Sequence, residues 1–352
     1  MSSGEKLLIV GPAWVGDMVM AQSLYRLLKQ RDTGVDIHVV APGWSLPLLA
    51  RMPEVASGIE LPLGHGDLRL GVRRALGKRL RGARFDRAIV LPRSLKAALV
   101  PFFARIPIRT GYRGEWRYGL INDMRPFDPA RLDQTVLRFL ALGQPKNERD
   151  LPAVPEPALS VDARAADALM ERFELPRNAE VAALIPGAEY GPAKRWPVAY
   201  YAELAARLVG DGMDVWVLGS ANESPLAEQI RGHAGARVFN LCGRTSLTEA
   251  ADLLAKASVA VSNDSGLMHV AAAVGTHVVA IYGSSSPSFT PALTRRKTVL
   301  YRALSCSPCF ARECPLKHLN CLNGIGVDAV VDAVRAARAR PPQPARQGDA
   351  PW

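Results

Sequence analysis

Residues 6–17 read KLLIVGPAWVGD, and this stretch decides the fold of the first half of the chain. Residues 6–11 form a compact apolar run that ends in Gly-Pro, which is typical of a buried strand in a parallel sheet. Apolar residues at helical spacing follow over residues 17–30. A strand that turns directly into a helix predicts the start of a βαβ unit.

The same strand-then-helix pattern recurs along the chain. Further strands are predicted at 36–41, 86–91, 180–186, 213–218, 258–262 and 277–282. In the second half, helical periodicity is present at 162–173, 196–210, 224–234 and 247–256. Alternating strands and helices indicate the α/β class, with two Rossmann-like, doubly wound parallel-sheet domains.

A proline-rich stretch divides this pattern into two domains. We expect an N-terminal domain over 1–158, with residues 145–158 as its linker, and a C-terminal domain over 159–340. Residues 341–352 combine several prolines with little apolar content, which predicts a disordered tail. Two such domains in tandem should enclose a ligand-binding cleft at the carboxyl ends of their strands.

The composition indicates a soluble globular protein. Hydrophobic residues make up 48% of the 352 residues and charged residues 22%. No early stretch has the pattern of a secretory signal. The longest apolar run, residues 97–104, is too short to span a bilayer and contains Pro101. We therefore expect a cytoplasmic location.

Positive charge is concentrated in the first half of the chain. Residues 1–160 hold 24 Lys and Arg against 15 Asp and Glu, whereas residues 161–352 hold 20 against 18. This asymmetry predicts an anionic partner for the first domain, and nucleic acid, phospholipid headgroups or a phosphorylated glycolipid would all fit. A solvated helix face is the plain alternative for the densest basic stretch, which comprises Arg69, Arg73, Arg74, Lys78, Arg79, Arg81 and Arg84.

Three loops, each predicted at a strand-to-helix turn, are candidates for the functional site. Residues 11–17 (GPAWVGD) bring a glycine-rich backbone and Asp17 to a helix start, where a capping role is the plain alternative. Residues 186–197 (PGAEYGPAKRWP) carry Lys194 and Arg195 at the mouth of a helix, a pair that suits a diphosphate. Residues 262–269 (SNDSGLMH) offer backbone N–H groups to an anion and Asp264 to sugar hydroxyls.

These strings resemble a known enzyme family. Together with LPLGHG, RTGYRGEWRYG and YGSSSPSFTP, they are similar to the heptosyltransferases of glycosyltransferase family nine, over residues 6–293. The resemblance implies the GT-B fold and transfer of L-glycero-D-manno-heptose from ADP-heptose to the first heptose of the lipopolysaccharide inner core. It also implies a cytoplasmic enzyme in contact with the inner membrane surface, whose acceptor phosphates meet the basic N-terminal domain.

The resemblance assigns roles to residues of the three loops. Asp17 matches the general base of the family, Lys194 the lysine that contacts the donor phosphates, and Asp264 the acid that holds the donor heptose. Their neighbours in the same pocket are Ser265, Gly266 and His269.

Other donor contacts follow from the same resemblance. Glu223 matches a carboxylate that meets the adenosine, and Thr245 falls near the adenine. Arg195 stands beside the phosphate lysine. Glu189 and Tyr190 occupy positions where related enzymes carry small hydroxyl residues, so their contacts differ from the family pattern.

The chemistry needs no metal cofactor. Inverting transfer requires a base for the acceptor hydroxyl and positive charge for the departing ADP. No Asp-x-Asp pair of the kind that holds a catalytic cation occurs in the sequence, and Lys194, with Arg195 and a helix N-terminus, can supply the charge.

A cysteine-rich segment leaves two interpretations open. Its members are Cys306, Cys309, Cys314, His318 and Cys321. They could hold a structural zinc ion, but their spacing matches no standard zinc finger, and free thiols are the alternative in a reducing compartment.

Two other classes of function compete with the transferase. A nucleic-acid-binding protein would use the basic half, yet no basic motif with interleaved aromatic residues is present. A nicotinamide dehydrogenase would share the fold, yet the glycine fingerprint is absent. A family-nine enzyme with another core acceptor is a closer alternative.

Overall fold

The computed structural model of this chain describes residues 4–64, 66–148 and 150–339. Within them the chain divides into two compact units, and one ends at Pro157 where the next begins at Ala158. The expected tail at 341–352 lies outside the described residues, as does His65 of the LPLGHG string. No helix of the described ranges is long and apolar enough to cross a bilayer.

The first unit is built on a sheet of six parallel strands in the order β3-β2-β1-β4-β5-β6. These strands are β1 (Lys6–Val10), β2 (Asp36–Ala41), β3 (Val55–Glu60), β4 (Arg87–Val90), β5 (Ile108–Tyr112) and β6 (Asp123–Arg125). Its helices are α1 (Val15–Arg31), α2 (Leu46–Leu49), α3 (Leu70–Leu80), α4 (Leu99–Phe103) and α5 (Thr135–Gly143).

The second unit repeats this plan, in the order β12-β11-β10-β7-β8-β9. These strands are β7 (Val181–Ile185), β8 (Asp214–Val217), β9 (Val238–Asn240), β10 (Val259–Asn263), β11 (His277–Tyr282) and β12 (Lys297–Tyr301). Its helices are α6 (Ala163–Arg172), α7 (Val198–Gly210), α8 (Ser224–Ala234), α9 (Leu247–Lys256), α10 (Gly266–Ala273), α11 (Asn320–Asn323) and α12 (Val327–Arg338). The predicted fold class is therefore confirmed.

Helix starts in the second unit follow from their capping residues. Asp162 accepts the N–H groups of Arg164 and Ala165 at the start of α6, which satisfies donors that the helix itself leaves free. Ser246 and Glu249 form a reciprocal capping box at the start of α9. These local signals explain why helix boundaries could be predicted from sequence here.

Each sheet has a point at which the strand order reverses. In the first unit β1 lies between β2 and β4, and in the second unit β7 lies between β10 and β8. Within the second sheet Ser262 of β10 is paired with Ile185 of β7, so the loops that follow these strands leave the sheet side by side. Open α/β sheets bind their ligands at such a reversal.

Arg73 departs from the expected solvated basic face. Its side chain is buried, and its guanidinium donates hydrogen bonds to the carbonyl oxygens of Leu68 (2.7 Å), Asp67 (2.9 Å) and Lys96 (3.2 Å). Arg74, its neighbour on α3, is exposed. Arg73 thus holds the entry of α3 to the segment after β4, and only its exposed neighbours remain candidates for meeting an anionic partner.

We predict that Arg73→Ala lowers the free energy of unfolding by about 2–3 kcal/mol, because it strands carbonyl groups that now accept charged hydrogen bonds. Arg74→Ala is the matched control and should stay within about 0.5 kcal/mol of the parent. Denaturant unfolding of both variants measures the difference, and equal stabilities would contradict a structural role for Arg73.

Candidate active site

The loop after β7 is held in one conformation by close backbone contacts. Pro192–Lys194 form a single 3₁₀ turn, and Ala193 N–H donates to the carbonyl oxygen of Arg312 at 3.0 Å. A side chain at Gly191 would place its Cβ 2.5 Å from the same oxygen, so only glycine permits this approach. The loop can therefore present Lys194 in a defined position.

Lys194 forms an ion pair with Asp264 at the reversal point of the second sheet. Lys194 Nζ lies 2.6 Å from Asp264 Oδ2, and the two side chains are 17% and 5% exposed. Thr290 Oγ1 donates to the same carboxylate at 3.4 Å. Because a largely buried ion pair recovers little net stability after desolvation, its presence favours a functional role over a structural one.

Asn263, which sequence reasoning did not single out, connects the two loops. Its Oδ1 accepts the Trp196 backbone N–H at 3.0 Å, and its Nδ2 donates to the carbonyl oxygen of Pro186 at 2.7 Å. The side chain is fully buried. Its position directly before Asp264 in the SNDSGLMH string was the only signal that could have found it.

Helix α10 begins at the candidate site with a side-chain cap. Ser265 Oγ accepts the Met268 N–H at 3.3 Å, and Gly266 is the first helical residue. His269 is buried, and this burial lowers the pKa of its imidazole to about 4, although the Asp264 carboxylate opposes the effect and Lys194 adds to it. His269 is therefore neutral at physiological pH and not a source of positive charge for phosphates.

Glu223 lies beside the loop after β7, and its carboxylate already accepts hydrogen bonds within the second unit. Its Oε2 accepts hydrogen bonds from Ser220 N–H (2.8 Å) and Ser220 Oγ (2.5 Å), which closes a capping box before α8. A Cβ at Gly187 would come within 2.8 Å of its carboxyl carbon. Capping explains why a carboxylate stands here, and the adenosine contact is an additional role that stays a prediction.

A surface cavity of about 630 Å³ opens beside β9, near the predicted adenosine positions. Its lining includes Ser224, which follows Glu223 in the chain, and Arg244, which precedes Thr245. Thr245 itself is half-buried in the turn before α9. Cys242, also in the lining, is a buried thiol whose pKa is raised to about 12, chiefly by desolvation.

Tyr190 and Arg195 are fixed within the second unit, whereas Glu189 is exposed. Tyr190 Oη donates to the carbonyl oxygen of Phe310 at 2.8 Å, and Lys194 Nζ lies 5.1 Å from the centre of its ring. Arg195 donates to the carbonyl oxygen of Ala188 at 3.1 Å. The second unit thus gathers Lys194, Asp264 and their neighbours around one strand-end region.

Asp17 lies in the first unit, at the reversal point of its own sheet. Helix α1 starts at Val15 with Trp14 as its N-cap, so Asp17 is in the first turn and is not the capping residue. Asp17 is half-buried. A carboxylate in the first turn interacts favourably with the helix dipole, and this interaction alone would give Asp17 a structural role.

The residues of the cysteine-rich segment make local contacts in the folded chain. Among the residues that the structure describes, no three His, Cys, Asp or Glu side chains come together in a way that could hold an ion. Backbone N–H groups, that of Leu319 above all, lower the pKa of Cys314, and His318 Nδ1 accepts the Asn320 N–H at 3.0 Å. Cys321 is buried in α11, while Cys306 and Cys309 are at least partly exposed thiols.

Comparison with known proteins identifies the family. The model of glycosyltransferase family 9 (heptosyltransferase) matches residues 73–320. The chain is 48% identical to lipopolysaccharide heptosyltransferase 2 of Salmonella typhimurium, over 84% of this chain and 87% of that protein. It is 45% identical to lipooligosaccharide heptosyltransferase 2 of Haemophilus influenzae, over 84% and 88% of the two chains.

A solved structure agrees with these matches. That of E. coli ADP-heptose lps heptosyltransferase II superimposes with a TM-score of 0.86 at 41% identity, covering 95% of this chain and 98% of the other. The family model spans well over half of the chain, and it includes the loops that carry Lys194 and Asp264. The chain therefore belongs to glycosyltransferase family 9, the heptosyltransferases.

Proposed function

We propose that this enzyme transfers L-glycero-D-manno-heptose from ADP-heptose to the first heptose of heptosyl-Kdo2-lipid A and releases ADP. The observation that carries the proposal is the Lys194–Asp264 ion pair at the reversal point of the second sheet. Relatives that are 45–48% identical are named lipopolysaccharide heptosyltransferase 2 or lipooligosaccharide heptosyltransferase 2, which supports the proposal. The second unit, over 159–340, is accordingly the proposed donor domain.

The ion pair suits a sugar joined to a diphosphate. An entering diphosphate competes with Asp264 for the Lys194 ammonium, because phosphate oxygens make strong charge-assisted hydrogen bonds. The carboxylate that is thereby released can accept hydrogen bonds from heptose hydroxyls. The backbone N–H groups of Ser265 and Gly266, at the start of α10, can donate hydrogen bonds to the diphosphate.

Asp17 is the proposed general base. Its carboxylate takes the proton of the acceptor hydroxyl while that oxygen forms a bond to the anomeric carbon of the donor. The bond from this carbon to the phosphate oxygen breaks, its electron pair leaves with ADP, and the configuration inverts. Lys194 and the helix N-terminus stabilise the departing charge, so we propose that catalysis needs no metal ion.

The first unit, which corresponds to the N-terminal domain expected over 1–158, is the proposed acceptor domain. Its excess of positive charge fits the Kdo carboxylates and lipid A phosphates of the acceptor, and also a peripheral contact with the inner membrane surface from the cytoplasmic side. Another core acceptor for the same donor is the remaining alternative within the family.

Removal of the Lys194 ammonium should weaken ADP binding. We expect Lys194→Ala to lose about 1.5–3 kcal/mol of binding free energy in calorimetry, the worth of a charged hydrogen bond. Because this change also leaves the buried Asp264 carboxylate without its ion-pair partner, the melting temperature of the variant should fall. The double variant Lys194→Met with Asp264→Asn is the control: it should regain stability but not ADP affinity. Unchanged ADP affinity in both variants would remove Lys194 from the site.

Replacement of Asp17 by Asn separates catalysis from folding, because Asn keeps the shape of the side chain without its basicity. The variant should melt like the parent and bind ADP-heptose normally, while kcat falls by roughly 10²–10⁴. Steady-state kinetics under conditions where chemistry limits turnover provide the measurement. If more than about a tenth of kcat remains, another group takes the proton.

Reversal of exposed positive charge on α3 should raise the KM for the acceptor and leave the KM for the donor unchanged. Arg74 and Lys78 are both exposed, and exposed ion pairs are worth up to about 1 kcal/mol each, so Arg74→Glu with Lys78→Glu should raise the acceptor KM several-fold. The increase should shrink at high salt, and the donor KM should not change. An acceptor KM equal to that of the parent would identify α3 as a solvated surface.

A further inference from the structure

We infer that Arg312, in the cysteine-rich segment, is a second cation for the donor diphosphate and shares this task with Lys194. The inference rests on the proposed donor site and adds a residue that neither the motifs nor the family resemblance assigned to it. It also gives the segment that follows β12 a role in substrate binding that requires no metal.

Backbone contacts attach this segment directly to the loop after β7, which carries Lys194. The carbonyl oxygen of Arg312 accepts the Ala193 N–H at 3.0 Å, and Gly191 packs against the same oxygen. Close by, the carbonyl oxygen of Phe310 accepts a hydrogen bond from the Tyr190 hydroxyl at 2.8 Å. Arg312 therefore keeps a fixed place beside the turn that carries Lys194.

The side chains of Arg312 and Lys194 meet at one aromatic ring. The Arg312 Cζ lies 5.2 Å from the centre of the Tyr190 ring, and Lys194 Nζ lies 5.1 Å from the same centre. Stacking on an aromatic face orients a guanidinium and limits the entropy that it loses on binding. Two cations that flank one ring suit an anion with two phosphate groups.

The charge balance at this loop favours Arg312 as the available cation. The Lys194 ammonium is already paired with Asp264, and the Arg195 guanidinium donates to the carbonyl oxygen of Ala188. Arg312 is exposed and, among the residues described, forms no ion pair with a carboxylate. Its planar fork of donors matches phosphate oxygens in a bidentate manner.

Two buried hydroxyl groups lie on the loop after β11, which contacts both this segment and the loop after β7. Ser284 and Ser285 follow β11, are 1% and 2% exposed, and their Oγ atoms have no hydrogen-bond partner among the described residues. The backbone of Ser284 is bonded on both sides: its carbonyl oxygen accepts the Phe310 N–H at 2.7 Å, and its N–H donates to the carbonyl oxygen of Ala193 at 3.3 Å. Because buried hydroxyls are normally paired, the loop has unused capacity for a polar ligand.

The test compares Arg312→Gln with Lys317→Gln, which removes an exposed charge from the same segment. Calorimetry with ADP and with adenosine separates the diphosphate from the nucleoside. We expect Arg312→Gln to raise the Kd for ADP at least tenfold and to leave adenosine binding unchanged. Lys317→Gln should match the parent, and Arg312→Lys, which keeps the charge without the fork, should lie between.

Each result bears on one of two claims. If Arg312→Gln binds ADP within twofold of the parent, or loses ADP and adenosine to the same degree, the inference is wrong while the proposed transfer stands. If the full-length parent binds no ADP and does not turn over ADP-heptose, both the inference and the proposed function fail. Thermal melting of all variants confirms that the comparison is made between folded proteins.

Discussion

The proposed donor site depends on the 2.6 Å ion pair between Lys194 and Asp264. Two loops from different strands must be held rigidly to keep these charges together away from water. Asn263 provides that rigidity, because one buried amide binds the backbone of both loops. Thr290 adds a hydrogen bond to the Asp264 carboxylate. Because burial of such a pair carries a large desolvation cost, its presence supports the proposed ligand, which has both phosphate groups and sugar hydroxyls.

The topology of the sheet makes this pair possible. Strands β7 and β10 are neighbours at the reversal point, so residues about 70 positions apart in the chain leave the sheet together. The same reversal in the first sheet places Asp17 after β1. Repetition of one fold thus places polar side chains at the strand ends of each unit: Asp17 in the first, and the Lys194–Asp264 pair in the second.

Central strands and capped helices could be predicted from sequence because their signals are local. Strand 277–282 and helices 224–234 and 247–256 are confirmed at the predicted residues. The sequence analysis does not predict strands β3, β5, β6, β9 and β12. Strands β3, β6, β9 and β12 are edge strands, which are short or partly exposed, and in β5 Arg109 and Gly111 interrupt the apolar pattern.

Properties of the site that depend on tertiary contacts could not be predicted. The burial of Arg73 and the low pKa of His269 result from a neighbour distant in sequence and from desolvation. The cysteine spacing leaves both a metal site and free thiols open, and the contacts that Cys314 and His318 make with the backbone depend on the folded segment. Arg312 lies far along the chain from Lys194, so its proximity required the fold.

The most direct test of the proposed transfer is the analysis of its product. Purified enzyme is incubated with ADP-heptose and heptosyl-Kdo2-lipid A, and the lipid product is examined by mass spectrometry and NMR. The account predicts the addition of one heptose for each ADP released, with the anomeric configuration inverted relative to the donor. ADP release without a heptosylated product, or a product that retains the donor configuration, would contradict it.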